Sequence, residues 1–68
     1  MAKKLDVGDR VKWHTGMNDT QGFIIECRVE NTEFDGDVYT ASEDDPTFIV
    51  ESEHGHRAAR HGGALRRA

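Results

Sequence analysis

The sequence predicts a small all-β barrel of four or five antiparallel strands that ends in a short C-terminal turn. Three observations support this: apolar and polar residues alternate with a period of two, turn-forming residues interrupt the alternation at short intervals, and no window of a dozen residues before the tail shows helical spacing. A chain of 68 residues forms one domain, residues 1–68, and we expect its ends at 1–5 and 66–68 to fray. Closing so short a sheet removes most of its exposed edges.

The first two strands carry the clearest alternation. The first, residues 7–14, is predicted to turn Val7, Val11 and Trp13 inward. After a connection rich in turn formers, the second, residues 21–30, is predicted to turn inward Phe23, Ile25, Cys27 and Val29, which leaves Ile24 on the outer side.

The rest of the chain is divided into shorter pieces. A third strand of uncertain register is expected at 38–41, and the acidic stretch that ends at Pro46 predicts a turn. The fourth strand, residues 47–52, places Phe48 and Val50 on one face, and residues 57–60 form either a fifth strand or one helical turn. Gly62 and Gly63 then release a tail in which Leu65 is the large apolar residue able to dock on the core.

The charge is distributed in three blocks. The net charge of −4 argues against an indiscriminate polyanion binder. Residues 1–29 are nearly balanced, residues 30–53 hold nine acidic and no basic side chains, and residues 54–68 hold four arginines and no acids. The barrel could present faces of opposite charge, or the basic tail could fold back on the acidic segment. We expect the second arrangement, anchored by Leu65, with the arginines near the acidic turns.

Cysteine content and hydropathy suggest where the protein works. A single cysteine, Cys27, cannot form an internal disulfide, which favours a reducing compartment, and no apolar stretch is long enough for a signal peptide or a membrane span. We therefore expect a cytoplasmic monomer with no membrane partner and no cofactor.

Several motifs together resemble one family. They are Gly8-Asp9-Arg10-Val11-Lys12-Trp13, Gly22-Phe23-Ile24-Ile25, the run from Tyr39 to Ser52 that contains Ala41-Ser42-Glu43-Asp44-Asp45-Pro46, and the closing Ala58-Ala59 and Ala64-Leu65. In this order they resemble the hypervirulence-associated Tudor-like domain family over nearly the whole chain. The resemblance implies an SH3-like, Tudor-type barrel and implies little about activity. We expect the barrel to act as a binding or adaptor module.

An aromatic and acidic mouth is the candidate ligand site. Trp13, Tyr39 and Phe48 could line one opening of the barrel, as the cages of methyl-lysine-binding Tudor domains do, and Asp44 and Asp45 would favour a cationic ligand. The simpler interpretation is that Trp13 and Phe48 belong to the core. A protein or a peptide is the expected partner.

Catalytic and metal sites are not expected. His54, His56 and His61 match no common zinc spacing and lack a cysteine pair. No nucleophile is paired with a base, so we expect a protein that is not an enzyme.

Weak RNA binding is the alternative function. Gly8, Asp9 and Val11, followed by Gly16 and Gly22, are similar to KOW-type barrels of ribosome- and transcription-associated proteins. The basic patch of this hypothesis comprises Lys3, Lys4, Arg10, Lys12 and His14, joined by Arg57, Arg60, Arg66 and Arg67.

Overall fold

Seven strands and one short 3₁₀ turn are found in the part of the chain that the structure describes. A computed structural model describes residues 5–68. Its elements are β1 (Arg10–Thr15), β2 (Asn18–Arg28), β3 (Thr32–Phe34), β4 (Asp37–Tyr39), β5 (Thr47–Ser52), β6 (Arg57–His61), the 3₁₀ turn Gly62–Ala64 and β7 (Arg66–Arg67). Antiparallel pairing builds a five-stranded sheet in the order β6-β5-β2-β1-β7, and β3 and β4 form a separate hairpin. The prediction of an all-β fold is confirmed.

Two tight turns close the hairpins. Thr15 and Asn18 are paired, so only Gly16 and Met17 connect β1 to β2, and Gly16 has a φ of 61°. The hairpin β3–β4 turns through Asp35 and Gly36, both at positive φ, which is the conformation that Asp-Gly favours in two-residue turns. The expected third strand is therefore the second arm of a hairpin.

A β-bulge in β2 changes which side chains face the core. The register against β5 shifts between Ile24 and Glu26, so Ile24 faces Val50 while Cys27 faces Phe48. Ile24 is 1% exposed and Phe23 is 48% exposed, the reverse of the predicted alternation. The assignment of Phe23, Ile25 and Val29 to the core is wrong: before the bulge the inward residues are Gly22 and Ile24, and the extra residue shifts the alternation after it.

The hydrophobic core is formed by side chains on one face of the five-stranded sheet, together with Leu65. The cluster of buried residues comprises Val11, Trp13, Ile24, Phe48, Val50 and Leu65, with Leu5 and Ala58 packed against it. Val7 was expected inside but is 53% exposed, because residues 7 and 8 form a turn before β1.

The C-terminal segment belongs to the sheet. Residues 57–60 are part of strand β6, and the single helical turn comes after it, at Gly62–Ala64. Leu65 is buried in the core, as predicted, and β7 pairs with β1, where fraying was expected. Within residues 5–68, no arginine of the tail forms an ion pair with the acidic turn: Arg67 pairs with Asp9 at 3.2 Å, Arg57 pairs with Glu51, and Arg66 lies opposite Lys12.

The outer face of β5 is also covered. Thr47 and Ile49 are buried although they face away from the core. The Thr47 hydroxyl and the His61 ring nitrogen Nε2 both donate to the Thr40 carbonyl, at 3.0 and 2.7 Å. The connection after β4 therefore lies across β5 and β6, and it carries the chain into the acidic turn at the end of the barrel.

Candidate ligand-binding cleft

A cleft of about 380 Å³ opens at the end of the barrel where β2 finishes and β5 begins. Its size falls in the range of small-ligand sites. Three elements meet there: the end of β2, the acidic turn before β5 and the 3₁₀ turn after β6. The lining residues are Leu5, Cys27, Val29, Glu43, Asp44, Asp45, Pro46, Phe48, Gly62 and Gly63.

The floor of the cleft is apolar. Beyond the bulge, Cys27 faces Phe48 across the β2–β5 pair, and Val29 continues past the end of β2. Cys27 and Val29 are exposed, whereas Phe48 closes the top of the core. Gly62 contributes to the wall, because a Cβ there would lie 3.4 Å from the Phe48 ring. Apolar surface is thus accessible where the core ends.

The rim of the cleft carries three carboxylates. Glu43, Asp44 and Asp45 occupy a turn held by reciprocal bonds: the Ser42 amide donates to the Asp45 carbonyl, and the Asp45 amide donates to the Ser42 hydroxyl. None of the three carboxylates forms an ion pair with a residue in 5–68. Within the described residues, the rim therefore presents negative charge with no ion-pair partner beside an apolar floor.

The predicted site residues are divided between the two ends of the barrel. Asp44, Asp45 and Phe48 line the cleft together. Trp13 is 4% exposed in the core and borders a different cavity, beside Ser52 at the opposite end of β5. Tyr39 lies in β4 opposite Thr32 and does not line the cleft. Of the three aromatic residues, the cleft thus receives Phe48 alone.

Sequence reasoning missed most of the apolar floor. Cys27 and Val29 were expected to be enclosed, and they instead face the open end because the strand runs past the core. Pro46 and the glycines of the 3₁₀ turn were interpreted only as turn formers. The available sequence signal for this cleft was the alternation of apolar residues after Ile25, at Cys27 and Val29, together with Pro46 before β5.

The basic residues of the alternative hypothesis are also separated. Arg10 and Lys12 lie on β1, Arg57 and Arg60 lie on β6, and β2 and β5 run between these strands. Arg10 pairs with Glu53 at 2.9 Å and Arg57 with Glu51 at 3.4 Å, so two of these four cations are already neutralised. Lys3 and Lys4 lie outside the described residues.

Arg28 fastens the β3–β4 hairpin to the sheet near the cleft. Its guanidinium donates to the Glu26 carboxylate, to the Thr32 hydroxyl and, at 3.4 Å, to the Glu33 carbonyl. The hydrogen bond from Arg28 lowers the pKa of Glu26 below its usual value of 4.5, although desolvation acts in the opposite direction, and the same bond raises the pKa of Arg28.

Metal-ligating side chains do not converge in the described chain. Between residues 5 and 68, no group of three histidine, cysteine, aspartate or glutamate side chains is placed to hold a metal ion. His54 and His56 border the cavity beside Trp13, whereas His61 sits at the other end of β6. Within the same residues, no helix is long and apolar enough to cross a membrane.

The fold and the cleft define a small antiparallel β barrel of the SH3-like, Tudor type. Residues 8–65 match the family model of the Tudor domain of hypervirulence-associated proteins. The chain belongs to this family, as the sequence motifs predicted. No curated protein and no solved structure matches the chain.

Proposed function

We propose that the protein is a non-enzymatic binding module whose cleft receives a short segment of a partner protein that presents a basic side chain beside an apolar one. One observation carries the proposal: the carboxylates of Glu43, Asp44 and Asp45, which form no ion pair within residues 5–68, line the same cleft as the apolar floor formed by Cys27, Val29 and Phe48.

The two parts of the cleft have different roles in this proposal. Burial of the exposed Cys27 and Val29 surface supplies affinity, at about 25 cal/mol per Å² removed from water. The carboxylates speed association with a cationic segment and select against acidic ones. An exposed charge pair adds only about 0 to 1 kcal/mol. We therefore expect the apolar contact to dominate affinity and the rim to dominate selectivity.

A simple lysine or arginine fits this cleft better than a methylated lysine. Recognition of a quaternary ammonium depends on several aromatic faces around the cation. Phe48 is the aromatic residue that lines the cleft, while Trp13 is packed in the core. We assign the cation of the ligand to the carboxylates and its alkyl stem to the floor.

The proposal extends to the setting of the module. Tudor-type domains are generally non-catalytic, and we assign no reaction to this one. The exposed thiol of Cys27 suits a reducing compartment, so we place the module in the cytoplasm as a monomer.

Calorimetric titration with a defined peptide tests the proposal. The probe is a short amidated peptide of alternating leucine and lysine, and the reference peptide has glutamate in place of lysine. Wild-type protein should bind the lysine peptide and reject the glutamate peptide. The double variant Asp44→Asn, Asp45→Asn should bind the lysine peptide about tenfold more weakly.

A charge-matched variant provides the control. Asp35→Asn with Asp37→Asn removes the same charge from the β3–β4 hairpin, which does not line the cleft. This variant should bind like wild type. Equal losses in the two double variants would show a general charge effect and would refute a specific cleft.

A further inference from the structure

Two cationic side chains lie side by side on the surface and do not line the acidic cleft. Lys12 of β1 and Arg66 of β7 are direct partners in the antiparallel register, and both are exposed. The position of β7 is fixed on both sides of this pair: Leu65 is buried in the core, and the Ala68 amide donates to the Arg10 carbonyl at 3.1 Å. Arg66 is therefore held beside Lys12 by the fold.

Neither of these two cations is neutralised. Arg10, Arg28, Arg57 and Arg67 each form an ion pair, whereas Lys12 and Arg66 have no ion pair and no hydrogen-bonded side-chain partner within residues 5–68. Like charges directly opposite each other destabilise an antiparallel pair. An anion placed between the two head groups would relieve this repulsion.

A small depression lies between the two side chains. It has a volume of about 110 Å³ and is also bordered by Trp13, His14, Asp19 and Ala64. The one carboxylate there, Asp19, is engaged by the His14 ring nitrogen Nδ1 at 2.6 Å. The space suits a compact anion, and guanidinium and ammonium groups are the usual protein ligands of phosphate.

We propose that Lys12 and Arg66 form a binding site for a single phosphate group of a small phosphorylated molecule. The neighbouring cations do not extend the site, because Arg10 is held by Glu53 and Arg67 by Asp9. The chain as a whole carries a net charge of −4, which opposes a long polyanion. The ligand therefore presents one compact anionic group to this pair.

Phosphate titrations of wild type and two variants test the site. Inorganic phosphate and adenosine monophosphate are titrated into ¹⁵N-labelled protein at low ionic strength and followed by NMR. Both should shift the Lys12 and Arg66 amides saturably, and Lys12→Gln or Arg66→Gln should weaken binding about tenfold. Arg57→Gln removes the same charge from β6 and should bind phosphate like wild type.

Thermal melts distinguish loss of the phosphate site from a folding defect in the variants. In buffer without phosphate, Lys12→Gln and Arg66→Gln should melt no lower than wild type, because each substitution removes a like-charge contact. Added phosphate should raise the melting temperature of wild type and of Arg57→Gln by the same amount, and that of each site variant by clearly less.

Three results would overturn the proposal. The first is the absence of saturable phosphate binding to wild type, and the second is unchanged binding by both site variants. The third is affinity for single-stranded RNA that grows with RNA length and falls steeply with salt, because that behaviour belongs to an extended nucleic-acid interface.

Discussion

At the scale of single residues, Gly22 sets how closely β2 approaches β5. Gly22 pairs with Ser52, and a Cβ at this position would lie 2.0 Å from the Glu51 carbonyl oxygen and 2.8 Å from the Ser52 Cα. Both contacts are with backbone, so no side-chain movement can relieve them. The crossing of these two strands therefore requires glycine.

Gly22→Ala should destabilise the domain by about 3 kcal/mol or more, as overpacking against a rigid backbone does. Gly63→Ala is the matched control, because Gly63 has nothing within 4 Å of its ideal Cβ and no positive φ. Urea denaturation of both variants measures the difference. Coincident transitions for the two variants would show that β5 can move away from β2.

Glu26 and Arg28 provide a prediction on titration. The hydrogen bond from Arg28 lowers the pKa of Glu26 in the folded state, so it stabilises the fold above the unfolded pKa. That contribution is lost as the pH falls through the folded pKa. Arg28→Gln should move the Glu26 midpoint, measured by ¹³C NMR, upward toward 4.5. An unchanged midpoint would mean that Arg28 does not bind this carboxylate in solution.

At the scale of elements, the bulge in β2 links the core to the cleft. Before it, Gly22 and Ile24 face inward; after it, Cys27 faces inward but lies beyond the core. A strand without the extra residue would direct Cys27 to the outer face. The same irregularity therefore completes the core and builds the apolar floor of the cleft.

Ile24→Ala and Phe23→Ala test this alternation directly. Ile24 is fully buried, so its truncation should cost about 2 to 5 kcal/mol. Phe23 is about half exposed on the outer face, near Arg10, and its truncation should cost less than about 1.5 kcal/mol. Chemical denaturation gives both values. If Phe23→Ala lost more stability than Ile24→Ala, Phe23 would be the inward residue, as strict alternation predicts, and the described register of β2 would be contradicted.

Strand existence was predictable from the sequence, whereas register was not. The inward positions in β1 and β5 follow a simple period of two, and Val11, Trp13, Phe48 and Val50 were assigned correctly. A bulge has no local sequence signal as clear as a turn, so β2 was assigned the wrong face. Asp35-Gly36 did carry a signal for the β3–β4 hairpin, through its preference for positive φ. In the candidate site, the exposure of Glu43, Asp44 and Asp45 could be predicted, because ionised side chains are rarely buried without a partner.

At the scale of the whole molecule, the charge blocks become separate surfaces. The acidic turn with Glu43, Asp44 and Asp45 borders the cleft, and the tail runs back along β1, where Arg66 meets Lys12. The tail is anchored by the buried Leu65, by the pairing of β7 with β1 and by the ion pair between Arg67 and Asp9. Because the acidic turn and the Lys12–Arg66 pair lie on separate surfaces, two ligands of opposite charge can bind independently.

Removing residues 62–68 should clearly destabilise the domain, because it deletes β7 and the buried Leu65. Leu65→Ala alone should cost about 2 to 5 kcal/mol. Raising salt to about 0.5 M should change the stability of the intact chain little, since exposed ion pairs are screened and weak. Thermal melts of the truncated and intact chains compare them, and identical curves would show that Leu65 contributes nothing to the core.

The most direct test of the central claim is ¹H–¹⁵N NMR mapping of the alternating leucine–lysine peptide on the wild-type protein. The account predicts that the largest shifts fall on Cys27, Val29, Phe48 and Gly62, with little change at Trp13 or Arg66. Saturating shifts centred on Trp13 or on the β1–β7 edge, or no shifts at the cleft at all, would contradict it.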